Sequence, residues 1–382
     1  MITGRKTRVV LGMSGGVDSS AAAAVLLEQG YDVIGVTLKL WPQDCLSRAE
    51  DKCCGPQAVA DARGVCDRLG IPFYLVDEAE EFQLRVVEPF AQEYRVGRTP
   101  NPCVLCNEHL KFGTLLRRAR QLGAEYVATG HYARLERTPA GRTLLLRGRD
   151  PRKDQSYFLF TLGQRQLSRM LFPLGDFSKV DTRGVAAGAR LKTAGKEESM
   201  EICFVPDNDY GSFLRKSGLV APHRGEIVDR DGRVLGHHDG IEFFTIGQRR
   251  GLGVSASRPL YVIELDPEHN RVVVGEAAEL QCEEFLVVRA NWIPWDTPPG
   301  PLVATAQIRY QHRGTRARVT SLDGYRARVE LDEPQRAVTP GQACVFYEGD
   351  RVLGGGWIQS AARAPRWSEV NNAPGKGRTY GG

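Results

Sequence analysis

Three cysteines and one glycine-serine loop hold most of the chemistry that this sequence can perform. Cys103 and Cys106 lie three residues apart in TPNPCVLCNEHLKF (Thr99 to Phe112), between a proline-rich turn and what reads as the start of a helix; Cys203 sits in a separate Ile-Cys-Phe run. A pair at this spacing is half of a zinc site, a redox dithiol opening a helix, or two small apolar side chains under a loop. A zinc site needs a second such pair or a pair of histidines, and none follows. The other two readings stay open on spacing alone.

The loop LGMSGGVDSS (Leu11 to Ser20) stands between the first apolar strand and the first helix. A loop in that place aims backbone N–H groups and the positive helix end at one point, which suits an anion. Gly15 and Gly16 let the backbone approach a ligand closely, and Ser14, Ser19 and Ser20 add hydroxyl donors. The pattern is neither G-x-x-x-x-G-K-[ST] nor G-x-G-x-x-G, because the lysine and the glycine spacing are both missing.

These groups need a frame. From Thr7 to about Leu135, apolar strand-like runs alternate with helix-like segments: RVVLGM, then SSAAAAVLLEQG stopped by Gly30, then DVIGVTL, and so on through the helix pattern NEHLKFGTLLRRARQLG and a strand EYVATGHYARL. Near-continuous apolar strands separated by helices predict an α/β fold, a doubly wound parallel sheet covered on both faces. After about Val205 the texture changes to hairpins, GEIVDRDGRVLGHHDG with Asp-Gly at its turn and PLYVIELDPEHNRVVVG. From Phe285 short alternating strands with turns at Asp323-Gly324 and Gly349-Asp350 suggest a small closed β-barrel. The expected domains are therefore 1–206, a small mixed central domain 207–283, the barrel 284–363, and a polar, glycine-rich tail 364–382 expected to be disordered.

The 382 residues are enough for two or three domains, and 42% hydrophobic with 25% charged residues is ordinary for a globular protein. No run approaches the roughly 18 apolar residues of a membrane span, and the N-terminus lacks the apolar core of a secretory leader, so a cytoplasmic protein without a membrane partner is expected. Nine cysteines, an odd number spread over a large chain, are the wrong pattern for a secreted disulfide framework. Cys45, Cys53, Cys54 and Cys66 show no ligand pattern and read as buried or loop residues, while adjacent His237 and His238 on a strand point to opposite faces. A net charge of +5 fits a nucleic-acid partner only if the basic residues gather, as they do at Arg309, His312, Arg313, Arg316 and Arg318, beside Tyr310.

The phosphate loop resembles the SGGxDS signature of N-type ATP pyrophosphatases, which cleave ATP between its α and β phosphates; by that resemblance the fold is adenine nucleotide α-hydrolase-like and Asp18 helps bind Mg2+. With GRTPNPCVLCNEHLKF, ATGHYAR (128–134), KDQSYFL (153–159), ICF (202–204) and TIGQRRGLG (245–253) in order, the chain from roughly Arg8 to Gln359 resembles the tRNA-specific 2-thiouridylase family, which replaces O2 of the wobble uridine with sulfur. The resemblance implies ATP contacts at Gly12, Met13, Ser14, Gly15, Gly16, Val17, Asp18 and Ser19, with Leu38 and Gly130, and catalytic roles for Asp18, Cys106 and Cys203. It makes Cys203 the persulfide carrier and Cys106 the attacking or resolving thiol, supplied by an upstream persulfide sulfur donor. It implies tRNA contacts at Asn101, Pro102, Cys103, His131, Lys153, Asp154, Gln155, Arg309, Tyr310 and Gln342.

Cys103 departs from one common form of the family, which carries aspartate there. Three thiolates, Cys103, Cys106 and Cys203, could instead hold three irons of a [4Fe–4S] cluster that carries the sulfur. Two rival readings complete the set: an amidating synthetase of the same ATPase group, which needs neither Cys106 nor Cys203, and a non-catalytic RNA-binding module.

Overall fold

Val9, Val10 and Leu11, none of them exposed, form the middle of β1 (Arg8–Gly12) in the computed structural model, which describes residues 6–40, 55–197, 202–205 and 208–363. The expected tail at 364–382 and Cys45, Cys53 and Cys54 lie outside the described residues. An apolar run without polar alternation is what a strand covered on both faces requires. α1 (Val17–Glu28) is built from strong helix formers, with Ala21, Ala22, Ala23 and Leu26 fully buried, and Gly30 in the left-handed region follows its end.

β1 pairs in parallel with β2 (Asp32–Lys39) on one side. On the other it pairs with a three-residue strand, Tyr126–Ala128. The sheet extends beyond β2 to Phe73–Asp77 and beyond Tyr126–Ala128 to Met170–Leu171, all parallel. Strand order thus reverses at β1, and in such sheets the crevice beyond the carboxyl ends at the reversal is the ligand site. The stretch expected as one strand, EYVATGHYARL, is two. Gly130 lies against the backbone of Asp18 and Ser19, where a Cβ would come within 2.8 Å of the Ser19 nitrogen, and the chain then turns out of the sheet.

It turns toward the barrel. Ala133–Arg137 and Thr143–Arg147 form a hairpin whose second strand joins Arg351–Arg363 at Leu146 and Arg351. The barrel consists of Gln281–Trp292, Leu302–Gln307, Thr315–Ser321, Arg326–Arg336, Ala343–Glu348 and Arg351–Arg363, antiparallel throughout and closed by pairing of the first strand with the last. Alternation fills its inside with Val287, Ala317, Val319, Ala327, Val329 and Phe346. A hairpin that follows the parallel sheet therefore continues the barrel's own sheet, which ties the two together.

The central portion carries a short helix, Tyr210–Lys216, and four strands, Gly225–Val228, Val234–His238, Tyr261–Asp266 and Arg271–Gly275. The first hairpin turns at Asp231-Gly232, with Gly232 at φ +84°, and the second at Asn270, φ +52°. His237 is exposed and His238 buried, as opposite faces of a strand require.

Candidate active site

The loop after β1 is held by its own side chains. The Ser14 N–H donates to Ser19 Oγ at 3.2 Å, the Ser19 and Ser20 hydroxyls both donate to the Gly16 carbonyl at 3.2 and 2.7 Å, and Thr37 of β2 donates to the Met13 carbonyl at 2.8 Å. Gly15 has φ +70°, and a side chain there would strike the Ala58 backbone at the start of a second helix, Pro56–Leu69, so glycine is required both by conformation and by space. Gly16 caps α1 in an extended conformation. Gly12, Met13, Val17, Leu38 and Gly130 surround this cradle at the strand ends, and α1 directs its positive end into it.

Sequence reading found no lysine in the loop. The fold brings two to it from more than 160 residues downstream. Lys179 Nζ lies 2.6 Å from Asp18 Oδ1, and the Tyr132 hydroxyl donates to the same oxygen at 2.8 Å while lying 2.9 Å from Thr182 Oγ1. Lys196 Nζ donates to the Gly15 carbonyl at 3.2 Å and pairs with Asp61 at 2.6 Å. Burial pushes the Asp61 carboxyl up, but hydrogen bonds from Lys196 and Gln57 outweigh it and leave the net shift downward. Lys179 opens the helix Lys179–Gly188, whose capping box pairs Ser178 with Asp181. No local sequence signal links that capping box to Asp18; only the packing of the two helices does.

Cys106 and Cys203 belong to or pack against the apolar cluster of Val10, Ile34 and Val36, not the one that holds the buried face of α1. Pro102 opens a helix that widens into a π-helical stretch over Cys106–Thr114, a geometry often found where function overrides regular bonding. Cys106 is buried, Cys203 half-buried and Cys103 exposed. Cys106 belongs to the apolar cluster that includes Leu38, and Cys203 packs against that cluster. Its neighbour Phe204 is the anchor, edge-on to Phe90, Phe213 and Phe82 at 5.1, 5.3 and 5.7 Å between ring centres. Burying one such ring contributes about 1.5–3 kcal/mol. Directly after Cys106, Asn107 Oδ1 and Glu108 Oε2 are buried acceptors with no hydrogen-bond donor among the described residues. Cys66, by contrast, is fully enclosed, and burial pushes its thiol up to about 12. Among the described residues no three His, Cys, Asp or Glu side chains form a metal-ligating group. Cys103, Cys106 and Cys203 are all among the described residues and form no such group.

The residues assigned to tRNA divide into two groups. Asp154 is buried: it accepts from Arg147 Nη1 at 2.8 Å, the Gly148 N–H at 2.9 Å and the Ser156 N–H at 3.1 Å. Gln155 accepts from the Tyr132 N–H at 3.0 Å, so it braces the tyrosine that holds Asp18. His131 is buried between Phe112 and Phe172, its Nδ1 2.8 Å from Thr129 Oγ1, and burial first, then Lys111, lower its pKa well below 6.5. Arg309 is exposed, Lys153 and Tyr310 are half-exposed, and Tyr310 leans on Phe158 at 4.4 Å between ring centres. Arg316 is taken by Asp332 at 3.3 Å.

Gln342 connects the barrel to the cysteine loop. Its amide donates to the carbonyls of Thr99 and Pro100 at 3.0 and 3.3 Å, and the Thr99 N–H donates to the Pro340 carbonyl at 2.8 Å. The Tyr157 hydroxyl donates to the Ala343 carbonyl at 2.9 Å. The approach to Pro102 and Cys103 is thus braced from the barrel.

Three family models match successive parts of the chain. Residues 7–207 match a family model described as the tRNA methyl transferase HUP domain, 212–276 the tRNA methyl transferase PRC-barrel domain, and 282–358 the aminomethyltransferase beta-barrel domain. The tRNA-specific 2-thiouridylase MnmA of Geobacter metallireducens is 51% identical over 360 residues, 93% of this chain and 98% of its own. Its counterpart in Moorella thermoacetica is 49% identical over 356 residues, 93% of this chain and 100% of its own. A solved 4-thiouridine synthetase in complex with RNA and ATP has 19% identity and a TM-score of 0.37, covering 56% of this chain and 50% of its own, too distant to bear on the chemistry.

Proposed function

The chain belongs to the tRNA-specific 2-thiouridylase family, and from that premise we propose that it replaces O2 of the tRNA wobble uridine with sulfur in two stages, one at the cradle and one at the thiols. It is an ATP-dependent tRNA sulfurtransferase. In the first stage uridine O2 attacks the α-phosphorus of ATP and pyrophosphate leaves, so that a poor leaving group on C2 becomes AMP. The loop amides, the α1 terminus and Lys179 favour the charge that accumulates on the departing pyrophosphate. Asp18 supplies the oxygen donor that a hard cation takes together with phosphates, and bound magnesium would neutralise part of that charge.

In the second stage the terminal sulfur of a Cys203 persulfide attacks C2 and AMP leaves, which joins the base to Cys203 through a disulfide. The Cys106 thiolate then attacks the Cys203 sulfur, releasing the thiocarbonyl of the product and leaving a Cys106–Cys203 disulfide for an external dithiol to reduce. The persulfide comes from an upstream sulfur donor, and the enzyme is cytoplasmic. The observation that carries this reading is that Cys106 and Cys203 border one apolar cluster together with Leu38 at the nucleotide end of β2. No step is routed through iron.

The test is reconstitution: purified protein, ATP, tRNA and a persulfide donor, with mass analysis of the wobble nucleoside. The expected result is oxygen-to-sulfur exchange with one AMP per event, in a colourless, iron-free preparation. Cleavage of ATP without change in the RNA, or activity that requires added iron and sulfide, would contradict it.

A further inference from the structure

The sequence TIGQRRGLG is absorbed by neither the cradle nor the thiols. Thr245 to Leu260 contains three arginines and no aspartate or glutamate. Of the three, Arg258 pairs with Glu276 at 2.9 Å, whereas Arg249 and Arg250 are exposed and, among the described residues, have no ion-pair or hydrogen-bond partner for their guanidinium groups. The N–H groups of 249–257 likewise meet no acceptor there. Part of this loop lines a shallow cavity of about 470 Å³, with Arg249, Gly251, Gly253, Ser257 and Arg258 at its wall.

An arginine pair that merely kept the surface solvated would need no scaffold, but this pair has one. Gln248 accepts from the Thr245 N–H at 3.1 Å and donates to the Arg250 carbonyl at 2.9 Å. The Gly247 N–H donates to Val262 at 2.8 Å and the Val262 N–H to Gln248 at 2.9 Å. Leu252, two residues on, is buried in the central core. The backbone that carries two adjacent positive charges is thus held by bonds on both sides. The loop is also continuous with the barrel: a Cβ at Gly247 would be 3.0 Å from the Ala337 Cβ, Arg336 lies over the Tyr261 ring at 4.3 Å, and Arg309 donates to the Arg336 carbonyl at 3.4 Å.

We propose that the Arg249–Arg250 loop of the central domain is a contact surface for the tRNA phosphate backbone, extending the barrel surface around Arg309. This rests on the tRNA reading above. Phosphodiester oxygens supply the acceptors that these guanidinium and amide donors lack, and such contacts fix register without reading sequence.

The experiment measures binding of full-length tRNA by wild-type and by the R249Q/R250Q double variant between about 50 and 200 mM salt. The variant is expected to bind about tenfold more weakly at low salt, with the slope of log K against log salt flattened by about 1.4 to 1.8, the share of two phosphate contacts. The ATP KM and the melting temperature stay unchanged. Equal affinity and equal slope for the variant would overturn the proposal while leaving the enzyme's reaction intact. A wild-type protein that binds tRNA with this salt dependence but never thiolates it would instead overturn the reaction and leave the surface standing.

Discussion

The proposed nucleotide cradle and the proposed arginine surface offer phosphate opposite kinds of site. At the cradle both described lysines already have an internal partner: Lys179 has Asp18 and Lys196 has Asp61 and the Gly15 carbonyl. At the central loop Arg249 and Arg250 are left open. An incoming nucleotide must exchange partners with groups that are already placed, so its binding is shaped by geometry and local reorganisation. An incoming RNA strand meets charges compensated only by solvent and counterions, so its binding depends on salt. The difference fits the two ligands, because one must be oriented for in-line attack at phosphorus and the other must first be found and held.

Perturbations should separate along that line. The largest effect belongs to neither surface: Cys106→Ser is expected to lower multiple-turnover thiolation about a thousandfold or more while tRNA and ATP affinities hold, measured by product formation and filter binding. Substantial turnover would remove Cys106 from the reaction. Next, Lys179→Met should reduce kcat for tRNA-dependent AMP formation roughly ten- to a hundredfold, with partial recovery in Lys179→Arg and little change in tRNA affinity. An unaltered kcat would mean that the Asp18 pair only stabilises the fold. Arg309→Ala should weaken tRNA binding about fivefold and leave ATP affinity alone; an unchanged tRNA dissociation constant would refute its role.

The smallest effect is on stability. Burial holds the His131 pKa well below 6.5, so the folded chain keeps it neutral where the unfolded chain takes up a proton. Stability therefore falls as pH drops below about 6.5, by at most about 1.4 kcal/mol per pH unit for this one group, until the folded pKa is reached. His131→Asn should flatten that part of the profile in urea titrations at several pH values. His238 and His312, also shifted downward chiefly by burial, act in the same direction and will remain in the variant.

Elements whose cause is local could be read from the sequence. The run of buried Val9 to Leu11, the alanine-rich α1, the glycine pair beyond β1 and the Asp231-Gly232 hairpin each carry their own reason within a few residues. What could not be read was anything that depends on two distant segments meeting. Lys179 reaches the cradle on the helix Lys179–Gly188 that packs on α1, Lys196 at the end of the following turn Lys192–Gly195, and Tyr132 from the turn after Gly130. Asp154, which the resemblance implies as a tRNA contact, holds together Arg147, Gly148 and Ser156. The enclosure of His131 between Phe112 and Phe172 likewise joins distant segments. The strand expected through Gly130 is broken because that glycine must abut α1.

The central claim is that the cradle ending at Asp18 and the thiols at Cys106 and Cys203 act in succession on one RNA base. Rapid quench of Cys203→Ser with tRNA and ATP, followed by mass analysis of the RNA, tests it most directly. The account predicts a uridine carrying AMP that accumulates and is never thiolated. Thiolated uridine formed at the wild-type rate, or no nucleotidylated base at any time, would contradict it.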